Sequence, residues 1–178
     1  REMARGKDRQ SLSVRSDMSL GEQVSAPGAT WLDRQLVARE PIQTAGGFGA
    51  EVRDALAARS EHLASEGLAR RQGQRFIFAK DLLDELRSRE LDDSAKRIAD
   101  RSGLRYAPSE PGDHVTGLYR ERVTLSSGRF AMIDNGMGFE LVPWKPSLDR
   151  HLGQAVTGTM NARGGVDWSF TRSRTLGL

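Results

Sequence analysis

Turn signals at short intervals are the feature of this chain that most limits its fold. Glycine-containing turns, at Ser127-Gly128, Asn135-Gly136 and Gly164-Gly165, break the last third of the chain into short strand candidates. We expect strands over residues 115–125, 129–133, 139–142, 154–160 and 166–170. Short antiparallel strands suit a small barrel, because closure removes the unpaired edges of an open sheet. The sequence thus predicts a five-stranded antiparallel β-barrel, SH3-like or OB-like, over residues 114–178.

The residues before this barrel favour helices. Thr30 and Asp33 form the pattern of a capping box, which predicts a helix from Trp31 to about Glu40. A second helix is expected over residues 50–66, with Gly67 as its C-terminal stop. Its buried stripe is expected to consist of Val52, Ala55, Leu56 and Leu63.

A basic hairpin is expected directly after the second helix. Its two short runs lie between Gly67 and Phe78, about a turn at Gln72-Gly73. Two further helices are predicted, one capped by Asp81 and one over residues 94–101. Because a helix followed by a basic hairpin is the order found in a winged helix, we predict an α+β fold with a winged-helix-like helical domain over residues 30–105.

The remaining segments have the composition of linkers. Residues 1–29 are small, polar and charged, so they are expected to form a disordered linker. Residues 106–113 contain two prolines and a glycine and are expected to connect the two domains. Since the chain starts with Arg1 and its opening segment lacks periodicity, we expect it to be part of a longer protein.

Composition excludes several kinds of chemistry. The chain has no cysteine, which excludes disulfides and thiolate sites, and it has no apolar run of the roughly 20 residues that a membrane helix needs. Its three histidines, His62, His114 and His151, lack the paired spacing of a metal site, and Tyr106 and Tyr119 have no neighbouring histidine pair. We therefore predict no catalytic residues, no metal and no cofactor, in a soluble cytoplasmic protein with no membrane insertion.

The predicted hairpin carries the first group of candidate nucleic-acid ligands. Its basic residues are Arg70, Arg71, Arg75 and Lys80, and no acidic residue lies between Leu68 and Lys80. Basic side chains on a wing reach phosphates and release condensed counterions, which makes such binding salt-dependent. The alternative interpretation is a solvated hairpin with Phe76 and Phe78 packed on the core.

A second group of candidates belongs to the predicted barrel. It comprises Arg120, Arg122, Arg129, Trp144 and Lys145. Small barrels bind single strands by stacking bases on exposed aromatic rings beside Arg or Lys. Trp144 is the aromatic residue that we expect to be exposed, whereas Phe130, Phe139 and Trp168 are expected in the core.

Two short runs resemble a known family. Ser127-Gly-Arg-Phe-Ala-Met-Ile-Asp134 and Leu141-Val-Pro-Trp144 are similar to the C-terminal domain of unknown function of bacterial conjugative relaxases, the mobilisation nucleases. Trp31-Leu-Asp33 and Gly67-Leu-Ala69 extend the likeness more loosely upstream. Such relaxases nick DNA at the transfer origin and travel with the strand through a type IV secretion channel, which implies translocation to a recipient cell. Their nicking tyrosine and metal-binding histidines belong to an N-terminal domain that nothing in this chain matches.

The same resemblance implies candidate docking signals. Arg120-Glu-Arg-Val-Thr124 is similar to part of an internal secretion signal of some relaxases, and the tail residues Arg172 and Arg174 resemble basic tails that type IV coupling machinery binds. Two functions therefore remain open. In the first, a non-catalytic relaxase region binds single- or double-stranded DNA. In the second, a protein docking or secretion-signal module contacts the coupling protein or relaxosome components without binding DNA.

Overall fold

The computed structural model describes residues 18–38 and 47–170. It combines helices with a five-stranded antiparallel sheet, which confirms the α+β class. The chain divides into two compact units between Glu90 and Leu91.

Among the described residues, four helices precede the sheet. Their bounds are Leu20–Val24 (α1), Trp31–Leu36 (α2), Gly47–Ser65 (α3) and Leu82–Ser102 (α4). The capping box before α2 is confirmed, because the Thr30 side chain accepts from the Asp33 backbone N–H and the Asp33 carboxylate accepts from Thr30 N at 2.8 Å. The helix predicted to reach Glu40 ends at Leu36, and residues 39 and 40 lie outside the described part of the chain.

Helix α3 forms the centre of the first unit. Val52, Ala55 and Leu63 of the predicted stripe are buried, and Leu56 is half-buried. Gly67, with φ of 75°, ends the helix as predicted. The N–H of Gly67 donates to Ala64 O and that of Leu68 donates to Leu63 O, which together form a Schellman motif.

The predicted hairpin is present after α3. Strands β1 (Ala69–Gln72) and β2 (Arg75–Phe78) pair from Ala69↔Phe78 to Gln72↔Arg75. The two-residue loop is Gly73-Gln74, one position later than predicted, and Gly73 adopts φ of 63°. A glycine at this first loop position suits a tight hairpin turn, because it takes positive φ without steric cost.

Two segments of the first unit differ from the sequence predictions. Residues 18–29 do not form a linker throughout, since they contain α1 and the buried residues Gln23, Ala26 and Ala29. The other predicted linker residues, 1–17, lie outside the described ranges. The two helices predicted after residue 81 form one helix, α4, because no glycine or proline interrupts residues 82–102.

The second unit is built on the sheet. Its strands are His114–Leu125 (β3), Gly128–Asp134 (β4), Phe139–Pro143 (β5), Ala155–Met160 (β6) and Val166–Ser169 (β7). They match the five predicted strands closely at both ends, and a 3-10 helix at Pro146–His151 joins β5 to β6. The order across the sheet is β5-β4-β3-β6-β7, with antiparallel pairing throughout.

The prediction of a closed barrel is wrong. Strands β5 and β7 do not pair with each other, so the sheet is open. Strand β3 pairs with β6 through its first half and with β4 through its second half, with a register shift between Tyr119 and Glu121. The edge-protection argument behind the barrel fails because other residues cover the sheet: Tyr106 bridges to Phe139 on β5, and Ala95 and Ile98 of α4 pack on one face.

The opposite face of the sheet holds the larger apolar cluster. It contains Val115, Tyr119, Ala131, Ile133, Val142, Leu148, Val156, Met160 and Val166. The sheet thus has an apolar layer on each face, and its unit includes the residues of α4 from Leu91 onward. The segment predicted as a linker, 106–113, hydrogen-bonds to strands β5 and β6 through Ala107 N to Phe139 O and Gly112 N to Met160 O, both at 2.8 Å.

Within the described ranges, no helix combines the length and the apolar character that crossing a membrane requires.

Candidate nucleic-acid interface

The hairpin has one face packed on the protein and one face directed to solvent. Because side chains alternate along a strand, Arg71, Phe76 and Phe78 share one face, and Arg70 and Arg75 share the other. Phe76 and Phe78 are half-buried, their ring centroids lie 6.5 Å apart, and Phe78 packs against the cluster containing Leu63, Leu68 and Leu82. The packing of Phe78 on this cluster agrees with the interpretation of a hairpin fixed to the core, and Phe76 lies beside Phe78.

Arg71 is partly engaged by its own unit. Its Nη2 lies 3.2 Å from Glu61 Oε1, and its guanidinium lies 5.3 Å from the centroid of the Phe76 ring. Both charged side chains are more than half exposed, so the ion pair contributes little to stability. Arg71 is nonetheless less accessible to a phosphate than its neighbours are.

Arg70, Arg75 and Lys80 are the accessible cations of the hairpin region. All three are exposed, and none forms an ion pair or side-chain hydrogen bond within the described part of the chain. On the outward face of the hairpin, Arg70 lies opposite Ile77 and Arg75 lies opposite Gln72. Lys80 follows β2, before α4 begins. The structure therefore places three exposed positive charges near one small β-ribbon.

The candidate residues of the sheet unit contact other groups of the protein, unlike the three exposed cations of the hairpin region. Arg120 Nε donates to Asp134 Oδ2 at 2.8 Å, and Asp134, which is buried, also accepts from the Gly136 backbone N–H at 2.8 Å. Lys145 Nζ donates to the carbonyl of Val166 at 2.8 Å. Arg120 neutralises a buried carboxylate and Lys145 holds the start of β7, so both have structural roles.

Trp144 is not the exposed ring that the sequence predicted. It is half-buried against the cluster of Tyr119 and Val142, and its Nε1 is buried without a hydrogen bond of normal geometry to the described residues. The guanidinium groups of Arg122 and Arg129 lie 5.1 and 5.8 Å from its ring centroid. The ring is thus already in contact with the protein's own cations. Phe130 and Phe139 are buried as predicted. Trp168 is half-buried against the cluster that contains Tyr119 and Val142.

The two tyrosines of the sheet unit favour their neutral forms. Burial raises the pKa of Tyr119, against smaller lowering effects of the Trp144 indole and the Arg122 charge. Burial, with the charges of Asp92 and Glu140, raises the pKa of Tyr106. A neutral phenol is a weak nucleophile, so neither site activates its tyrosine.

Among the described residues, no group of His, Asp and Glu side chains could hold a metal ion. Arg172 and Arg174 lie outside the described residues. Sequence reasoning missed Arg97 and Arg101, which line a groove with Arg122 in the sheet unit. Their spacing of four residues places them on one face of α4, and this spacing was the signal in the sequence that could have identified them.

Comparison with known proteins gives one match. The model of a family described as a protein of unknown function, DUF3363, matches residues 1–177. No curated protein and no solved structure matches the chain.

Proposed function

The chain belongs to the DUF3363 family, and we propose that it is a non-catalytic region that binds DNA through the phosphate backbone. The observation that carries the proposal is the set of exposed cations Arg70, Arg75 and Lys80, unpaired among the described residues, beside a hairpin that is fixed by Phe78. The backbone that carries these cations is already ordered, so binding a phosphate orders only their side chains. Each neutralised phosphate also releases counterions.

We further propose that the first unit acts as a winged helix. Helices α1 and α2 pack on α3, and the hairpin follows α3 with β1 in contact with it. In this arrangement the β-ribbon is the wing. Contacts from a wing to the sugar-phosphate backbone carry no base readout, so we expect similar affinity for different sequences.

The biological setting that we propose is conjugative DNA transfer in bacteria. Its support is the likeness of residues 127–134 and 141–144 to the C-terminal domain of mobilisation relaxases. The nicking reaction would belong to another domain of such a protein, and this region would act in the cytoplasm on the DNA being processed. Coupling proteins and relaxosome components are the protein partners implied by the same likeness.

The test is fluorescence anisotropy of labelled single- and double-stranded oligonucleotides with the full chain at several salt concentrations. The variant Arg70→Ala/Arg75→Ala/Lys80→Ala is expected to weaken binding and to lower the salt slope by about 0.9 for each phosphate that the variant no longer neutralises. The matched control is Arg105→Ala/Arg150→Ala/Arg163→Ala, which removes three exposed positive charges from the sheet unit. We expect the control to bind within about twofold of the parent chain.

Two results would overturn the proposal. One is the absence of binding at micromolar protein in low salt. The other is an equal fall in affinity in both triple variants, because that result would mean that net charge, and not the hairpin, attracts the DNA.

A further inference from the structure

The second half of β3 has one unpaired edge. Pairing with β6 runs from His114↔Thr159 to Leu118↔Ala155 and is extended only by hydrogen bonds of Tyr119 with Gly153 and Gln154. Beyond Tyr119, the strand pairs with β4 on one side, and no described strand pairs with it on the other. Residues 121–125 therefore present a backbone edge that no other described strand covers.

The register identifies which backbone groups point to this edge. Arg129 O accepts from Trp144 N on the β5 side, so the backbone of Arg129 is directed away from β3. Its partner Thr124 then belongs to a pair that exchanges no hydrogen bonds, and its N–H and C=O are directed away from β4. The same holds two residues earlier for Arg122, paired with Ala131. Arg122 and Thr124 thus offer two donors and two acceptors spaced for strand pairing.

A groove of about 430 Å³ runs beside this edge, between β3 and the last turns of α4. Its apolar lining comes from Ile98, Val123 and Leu125. An extended segment that pairs with β3 directs its alternate side chains to the two sides of the sheet, in two rows. The row on the α4 side would meet the apolar lining.

The charge of the groove selects the kind of segment. The guanidinium of Arg122 lies on the Trp144 ring, on the opposite face of the sheet, so the charged side chains directed to the groove are Arg97 and Arg101, against the carboxylate of Glu121, which is paired with Arg101. A positive excess therefore remains, and it complements acidic residues. The terminal segments of this chain, residues 1–17 and 171–178, contain more basic than acidic residues and are poorly matched to it.

We propose that this edge binds an extended acidic segment of a partner protein by β-strand addition. Arg122 and Thr124 exchange main-chain hydrogen bonds with the segment. In the row of alternate side chains that faces α4, an apolar side chain packs over Ile98 and Val123, and carboxylates contact Arg97 and Arg101. This protein contact is separate from the DNA contact proposed for the hairpin.

The test uses the full chain and three labelled peptides. They are an Asp-Val peptide (Asp-Ser-Val-Ser-Asp-Ser), in which one valine and two aspartates lie in the same row of alternate side chains, the same peptide with every backbone amide N-methylated, and a Lys-Val peptide (Lys-Ser-Val-Ser-Lys-Ser). We expect the Asp-Val peptide to bind and to shift the backbone amide resonances of Arg122 and Thr124, and the other two peptides to bind at least tenfold more weakly. Equal binding of the N-methylated peptide, or no binding of the Asp-Val peptide, would overturn the proposal.

Two variants locate the site. Thr124→Pro removes an edge N–H that β4 does not use, and Arg97→Glu reverses a groove charge. Each substitution is expected to weaken binding of the Asp-Val peptide at least tenfold, whereas the control Arg163→Glu is expected to leave that affinity unchanged. Unchanged affinity in Arg97→Glu contradicts the site even if Thr124→Pro unfolds. If an oligonucleotide, and not the peptide, shifts the backbone amide resonance of Thr124, the groove binds nucleic acid and the proposal of a peptide partner is refuted.

Discussion

Asp33 accepts two hydrogen bonds from the guanidinium of Arg59, at 2.8 Å from Nε and 2.9 Å from Nη2, and solvent reaches neither side chain. The other N–H groups of Arg59 donate to the carbonyls of Val24, Ala26 and Gly28 at 2.7 to 3.1 Å. Both charges are therefore fully hydrogen-bonded inside the first unit. One arginine of α3 thereby fixes the chain between α1 and α2.

Arg59→Met should destabilise the first unit by about 3 to 5 kcal/mol, because it leaves the Asp33 carboxylate buried without its partner. Urea unfolding followed by the fluorescence of Trp31 measures the change. The control is Arg53→Met, which replaces an exposed arginine of the same helix. A destabilisation within about 1 kcal/mol of the control would contradict a stabilising role for the pair.

Gly117→Ala should destabilise the sheet unit. A Cβ at this position would lie 2.2 Å from the backbone oxygen of Asp134, so β3 and β4 would have to separate. We expect a cost of about 1 to 3 kcal/mol, read from the fluorescence of Trp144 and Trp168 during unfolding. Gly21→Ala is the control, since a Cβ there meets no atom within 4 Å; unchanged stability of both variants would refute the argument.

Trp144→Ala should lower stability without lowering DNA affinity. The ring packs on the core and contacts Arg122 and Arg129, so its removal is expected to cost about 3 kcal/mol of the unfolding free energy of the sheet unit. Denaturation followed by Trp168 fluorescence gives the unfolding free energy, and oligonucleotide anisotropy on the folded variant gives the DNA affinity. A tenfold fall in affinity at unchanged stability would restore the base-stacking interpretation of this residue.

Glu140→Gln should stabilise the sheet unit at neutral pH. Burial raises the pKa of Glu140 above 4.5, Ser109 lowers it in part, and the charge of Asp113 raises it further. A raised folded-state pKa means that the folded state holds the proton more tightly, so stability falls as pH rises from 4.5 through the raised pKa. Above that window the folded state carries the full cost of the buried charge.

The advantage of Glu140→Gln is therefore expected at pH 7 and should disappear as the pH falls below 4.5, where the parent carboxyl is neutral in both states. Chemical unfolding at a series of pH values measures it, with Glu110→Gln, a change at an exposed carboxylate of the same unit, as the baseline. A difference in unfolding free energy between Glu140→Gln and the parent chain that is constant with pH would contradict this account.

Features set by local backbone chemistry were predictable from the sequence. The capping box at Thr30, the glycine stop at Gly67 and all five strands of the sheet depend on a few adjacent residues, and the structure contains them. The continuity of α4 was also readable locally, since residues 82–102 contain no glycine or proline. The open sheet instead depends on contacts between distant segments, such as Ile98 with the residues of β4 and β5. A sequence pattern does not encode those contacts directly.

The candidate site shows the same division. The basic composition of the hairpin is visible in the sequence, but the accessibility of each cation is not. Arg120 and Arg71 are paired with Asp134 and Glu61, which are 14 and 10 positions away along the chain and become neighbours only through packing and strand register. Arg59, counted among the basic residues, contributes no surface charge because it is wholly buried.

Strand β4 lies between β3 and β5, and its residues from Phe130 to Asp134 are all buried. Their amide hydrogens should exchange slowly with deuterium, since the residues are buried and β4 is paired on both of its edges. Once exposed, Phe130-Ala-Met-Ile133 is an uncharged run with strong β propensity. Truncations that remove β5 should consequently yield insoluble aggregates and not a soluble unfolded chain.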